Sequence, residues 1–107
     1  MIRNFKEYQE EVNKLSFVKD KKLPSYVYPA FGLAGEAGEV LEQIKKSIRE
    51  NDGSYLTEER TANIRLELGD VLFYIGMLAT ALNLNMEDIA TANIEKLITR
   101  RNTKKKI

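Results

Sequence analysis

The chain has 107 residues, 43% hydrophobic and 31% charged, with 17 Lys and Arg against 16 Asp and Glu for a formal net charge of +1. That is the composition of one folded globular domain, not of a disordered chain. It contains neither cysteine nor histidine. Disulfides, thiolate nucleophiles, Cys- or His-ligated zinc, imidazole bases and the Glu-x-x-His sites of di-iron bundles are therefore all excluded, and any chemistry must run on carboxylates, lysines, arginines and hydroxyls. No run of about 18 apolar residues is present, and the opening MIRNFKEYQEEV is too polar for a signal peptide. The expectation is a cytoplasmic protein with no membrane partner.

The periodicity predicts four helices and no convincing strand, an all-α, four-helix bundle-like domain spanning residues 1–107. In the first helix, residues 4–19, Phe5, Tyr8, Val12 and Leu15 fall on one face. KKLPSYVYP, with Pro24 and Pro29, breaks it; SYVY as a strand would have nothing to pair with. The second helix, about 30–50, carries Leu33, Ala37, Val40, Leu41, Ile44 and Ile48 as its apolar stripe and ends at the turn-forming Asn51-Asp52-Gly53. Thr57 with Glu58 and Glu59 reads as an N-cap followed by acids that suit the helix dipole. The third helix then runs to about 82 and is apolar nearly all round, which marks it as the central one. Asn85 and Asp88 resemble a capping box for a fourth helix over about 86–102, thinner in apolar residues. The tail from 100 to 107, RRNTKKKI, holds five basic side chains and no acid, leaving residues 1–99 at −4.

The stretch FGLAGEAGEV, residues 31–40, sets Gly32, Gly35 and Gly38 inside the second helix around Glu36 and Glu39. Each interior glycine costs a helix about 1 kcal/mol relative to alanine, so three need a reason. Taking Glu36 as zero at about 100° per residue, the apolar stripe lies at roughly 40–140° and Glu39 near 300°. LELGDVLFYIG on the third helix repeats the offset with Glu67 and Asp70. There the two acids lie between apolar flanks, at roughly 20–120° and 240–280° from Glu67. A single acid pair at this spacing ordinarily belongs to a solvated face. Two pairs, one of them embedded in apolar surroundings, would repel each other once brought together. A cluster of hard oxygen donors makes sense if divalent cations neutralise it, and without histidine or cysteine the expected ion is Mg²⁺, with Mn²⁺ as the alternative. The glycines would then let a neighbouring helix or a bulky ligand approach the backbone beside the acids.

GLAGEAGEVLEQIKK, LELGDVLFYIGMLA and NIEKLITRR together resemble the MazG-like group of all-α nucleoside triphosphate pyrophosphohydrolases. Its mark is Glu-x-x-Glu on one helix and Glu-x-x-Asp on the next; here 27 residues separate Glu39 from Glu67, and the likeness covers about residues 28–102. The resemblance implies that Glu36, Glu39, Glu67 and Asp70 are the metal ligands and catalytic acids. It also implies that Mg²⁺ holds the triphosphate while water attacks the α-phosphorus, giving nucleoside monophosphate and pyrophosphate. Such a reaction would suit nucleotide-pool housekeeping.

By the same resemblance Asn93, Lys96 and Arg100 would contact phosphates, and their spacing puts them on one helix face. Cations near a helix C-terminus also stabilise it through the dipole, so both readings stand. Lys46, seven residues beyond Glu39, is a further phosphate candidate or a solvated lysine. Tyr74, one turn after Asp70, lines a sugar or base pocket or is a core tyrosine. Two alternatives remain: an enzyme of the related phosphoribosyl-ATP pyrophosphohydrolase branch, and a non-catalytic helical module using its basic tail. An acidic body does not suit a nucleic-acid surface, so no nucleic-acid partner is expected. Four helices in so short a chain leave apolar surface uncovered, which together with the family habit points to a homodimer or homotetramer.

Overall fold

Three of the four helices begin at a short polar side chain that replaces a missing backbone partner. In the computed structural model, which describes residues 1–16, 22–52 and 54–105, they are α1 (Phe5–Leu15), α2 (Val27–Asn51), α3 (Glu58–Ala81) and α4 (Met86–Lys105). The side chains of Asn4, Thr57 and Asn85 accept hydrogen bonds from the backbone N–H groups of Glu7 at 2.8 Å, Arg60 at 3.0 Å and Asp88 at 2.8 Å. Such caps are each worth about 1 kcal/mol. No strand occurs among the described residues.

α2 starts differently, and three residues earlier than the periodicity predicts. Pro29 does not precede the helix but sits buried in its first turn, where a backbone N–H would have no intrahelical partner to lose. The same helix ends at Asp52, which takes a left-handed conformation with φ 59° and ψ 20°; the expected turn glycine, Gly53, lies outside the described residues. α1 stops at Leu15 because Ser16 turns extended, its N–H and hydroxyl both directed to the Val12 carbonyl. Residues 17–19 of the expected first helix lie outside the described ones. α4 runs to Lys105, three residues past its expected end, since nothing in Asn102-Thr103 breaks a helix.

α2 and α3 form an antiparallel hairpin. Tyr74 lies beside Gly32, and the Arg60 guanidinium bonds Gln43 at 2.8 Å and pairs with Glu50, so partners run in opposite order along the two helices. α1 crosses the C-terminal half of α3. There Val12, Met77, Ala79 and Met86 are buried. Gly76 lies at the crossing, where a Cβ would come to 3.3 Å from both Val12 and the Met86 sulfur, closer than ordinary contact. Buried Gln9 ties the crossing together: its amide nitrogen donates to Thr80 Oγ1 at 2.9 Å and the Leu84 carbonyl at 3.0 Å, and its oxygen accepts the Met86 N–H at 2.9 Å.

α3 is thus central only over its C-terminal half. Its N-terminal half leaves Leu66 and Leu68 exposed, and in α2 Leu41 and Ile48 are more than half exposed. The α4 axis diverges from that of α3 by 102°, and α4 packs on α1 near its start while residues 91–104 are all exposed. The radius of gyration, 17.2 Å, compares with about 13 Å for a closed domain of this length. The four helices form an open arrangement, with an apolar surface that one chain does not cover. Among the described residues, no single helix is long and apolar enough to cross a membrane.

Candidate metal centre

The carboxylates meet where α2 and α3 face one another. One oxygen from each of Glu36, Glu67 and Asp70 lies within 4.8 Å of the other two. The antiparallel hairpin accounts for this: Glu36 at the edge of the α2 stripe is brought level with the Glu67–Asp70 turn of α3. Glu39 is not in the cluster. It lies about 60° further round α2 from the stripe than Glu36, and its side chain is exposed. The structure therefore gathers three of the four acids and leaves the fourth at the rim.

Electrostatics agree with the geometry. Burial raises the Glu36 carboxyl above its ordinary value of 4.5, and the charges of Asp70, Glu67 and Glu39 add to the rise. Like charges held this close disfavour ionisation of the last one, and a cation removes the conflict. The donor set fits a hard divalent ion. Ligands about 2.1 Å from Mg²⁺ lie about 3–4 Å apart, a spacing compatible with three oxygens that all lie within 4.8 Å of one another.

Two tyrosines stand near the acids, Tyr74 one helical turn beyond Asp70 and Tyr28 two turns before Glu36. The Tyr74 ring lies 6.2 Å from that of Tyr28 at a 59° tilt and 5.5 Å edge-on to Phe73. Interaction with the Tyr28 hydroxyl is the main cause that raises the Tyr74 phenol, followed by burial and by the charges of Glu36 and Asp70. On α1, Tyr8 is raised chiefly by burial and then by the charge of Asp70. Tyr74 is thus half-buried at the rim of the acid site. Tyr8 and Tyr28 were missed by sequence reasoning, although the spacing Tyr28, Gly32, Glu36 is a signal that could have placed Tyr28 above the acids. Of the three glycines, only Gly32 admits a neighbour within the chain. Cβ atoms at Gly35 and Gly38 would meet nothing within 4 Å, so the backbone there stays open to a ligand or a second chain.

The remaining candidates are not gathered with the acids. Asn93, Lys96 and Arg100 lie on the exposed length of α4, and no ion pair among the described residues engages Lys96 or Arg100. Lys46 is half-buried two turns beyond Glu39.

The model of the MazG nucleotide pyrophosphohydrolase domain matches residues 30–104. The Gene 37 protein of Mycobacterium phage L5 is 38% identical over 74 residues, which cover 69% of this chain and 64% of the phage protein. The chain thus matches less than two thirds of that relative's length. No solved structure matches. The chain belongs to the MazG nucleotide pyrophosphohydrolase domain family.

Proposed function

We propose that this protein is a Mg²⁺-dependent nucleoside triphosphate pyrophosphohydrolase. The observation that carries the reading is the triangle of Glu36, Glu67 and Asp70 oxygens, within 4.8 Å of one another, in a chain whose family match spans both acid motifs. When bound, the metal would neutralise phosphate charge and make the attacking water more acidic. Glu36, Glu67 and Asp70 would hold it from the two faces of the hairpin. Glu39, exposed at the rim, would complete the set from the solvent side or hold the attacking water as base. Asn93, Lys96 and Arg100 would bind the triphosphate oxygens with Lys46 as a further cation, and Tyr74 would border the sugar or base.

The open arrangement supports assembly as part of the same reading. The chain exposes 8396 Å², roughly a third more than the about 6,100 Å² of a monomer of its mass. A second copy covering the α2 and α3 apolar surface would give a homodimer, or a tetramer built from dimers.

A panel of ribo-, deoxyribo- and modified nucleoside triphosphates, incubated with Mg²⁺ and resolved by chromatography, tests the activity. Monophosphate and pyrophosphate are the expected products. Diphosphate with orthophosphate as the main products would refute attack at the α-phosphorus, and no turnover of any triphosphate would return the chain to the non-catalytic reading. Light scattering should report at least twice the 12.3 kDa chain mass.

A further inference from the structure

The Tyr74 ring lies directly on the backbone of Gly32. An ideal Cβ at Gly32 would fall 2.7 Å from Tyr74 Cζ and nearer still to Cδ1 and Cε1, so no side chain fits there while the ring stays in place. Gly32 and Glu36 are one turn apart on α2, and Tyr74 and Asp70 are one turn apart on α3. Because the helices are antiparallel, the ring-on-glycine contact and the carboxylate triangle form adjacent layers of one helix interface. They are separated by about 5.4 Å along the axes. Within the triangle, one oxygen comes from α2 and two from α3, all within 4.8 Å of one another. The separation of the two helices therefore sets how closely the α2 donor approaches the α3 pair.

We propose that Gly32 and Tyr74 act as a spacer: the aromatic ring seated on a side-chain-free turn sets the α2–α3 separation at the carboxylate layer, making Tyr74 a positioning residue for the metal centre. This rests on the metal-binding reading above. A planar ring on bare backbone holds two helices at a separation that neither an aliphatic side chain nor a ring on a Cβ would reproduce. The Tyr28 ring, one turn before Gly32, lies 6.2 Å from that of Tyr74 at a 59° tilt. The glycine is otherwise disfavoured here, since alanine would stabilise an isolated helix by about 1 kcal/mol. The spacer accounts for its presence.

The test is a Mn²⁺ titration of the full chain, read by the loss of the free-ion paramagnetic resonance signal, with helix content followed by circular dichroism. Gly32→Ala should weaken Mn²⁺ binding about tenfold or more, in the range seen when groups that orient metal ligands are lost, without loss of helix. Tyr74→Phe keeps the ring and should bind within about twofold of wild type, whereas Tyr74→Ala should weaken binding at least about threefold. Combining Gly32→Ala with Tyr74→Ala should recover part of the loss caused by Gly32→Ala alone, which a general defect would not allow. Wild-type affinity in Gly32→Ala overturns the spacer while leaving the metal centre standing. Should Gly32→Ala fail to fold, wild-type affinity in Tyr74→Ala overturns it instead. Absence of Mn²⁺ binding by the wild type would overturn the metal reading itself, and the spacer with it.

Discussion

The carboxylate layer between α2 and α3 and the outer length of α4 are opposites in charge and in packing. At the first, three acids from two helices converge within 4.8 Å, half-enclosed and raised in pKa at Glu36 by burial and by one another. At the second, Lys96, Arg100, Arg101 and Lys104 stand on a helix exposed from residue 91 to 104, without an ion pair among the described residues. The difference teaches which charged surface a single chain can organise by itself. A hairpin closed by a short turn brings its two faces together locally, so the acids are gathered with little dependence on anything else. α4 leaves α3 at 102° and is anchored only near its start, so where its cations act depends on what packs against it.

The largest expected effect lies on the acidic side. Glu67→Gln or Asp70→Asn should lower kcat/KM about 100-fold or more and abolish most of the Mg²⁺-induced rise in melting temperature. A metal response that survives in both variants would dissolve the site. Glu39→Gln should cost about tenfold less than Glu36→Gln, because only Glu36 belongs to the triangle. Equal losses would mean that Glu39 swings inward when the ion binds.

On the basic side, Lys96→Ala and Arg100→Ala should each lower kcat/KM about tenfold, the scale of a hydrogen bond to a charged group. Neither should move the Mg²⁺ midpoint, since neither lies in the triangle. Kinetics left unchanged by both would assign the two cations to stabilising the C-terminus of α4. The contrast between the two regions would then be one of structure and not of function.

The smallest effect is a pH dependence confined to the acidic region. The folded chain holds the Glu36 proton more tightly than the unfolded one, because its pKa is raised above 4.5. Glu36 therefore contributes stability that is present below pH 4.5 and lost as pH rises through the raised value. Without divalent ion, wild type should lose melting temperature over that interval relative to Glu36→Gln, in differential scanning fluorimetry. With Mg²⁺ the dependence should reverse, because proton and ion compete for the same carboxylate. Parallel melting curves for the two proteins at every pH would show that Glu36 is not under repulsion.

Much of this was legible without coordinates, for identifiable reasons. Caps, turns and helical periods are local, so Asn85, Thr57 and the four helices follow from nearest neighbours in the chain. The two acid pairs were visible as a repeated offset on consecutive helices, and the family resemblance implied one set of Glu36, Glu39, Glu67 and Asp70, of which the structure gathers three. Glu39 shows the limit. Its angle from the stripe was on view, yet its exposure depends on how α2 rotates against α3, which the periodicity of one helix does not set. The glycines show the same limit: Gly32, Gly35 and Gly38 are equivalent by spacing, and only the approach of Tyr74 distinguishes the first.

What the sequence by itself determined is therefore the all-α class, the family and the presence of two acid pairs at one offset, because each rests on residue type and on spacing within a few turns. The start of α2 at Val27, the 102° departure of α4, the restriction of the core to one end of α3 and the seat of Tyr74 on Gly32 were decided by the tertiary structure alone. Each depends on the distance and angle between helices. Those are set by how many side chains interlock at once, a quantity that no single helix carries in its own order of residues.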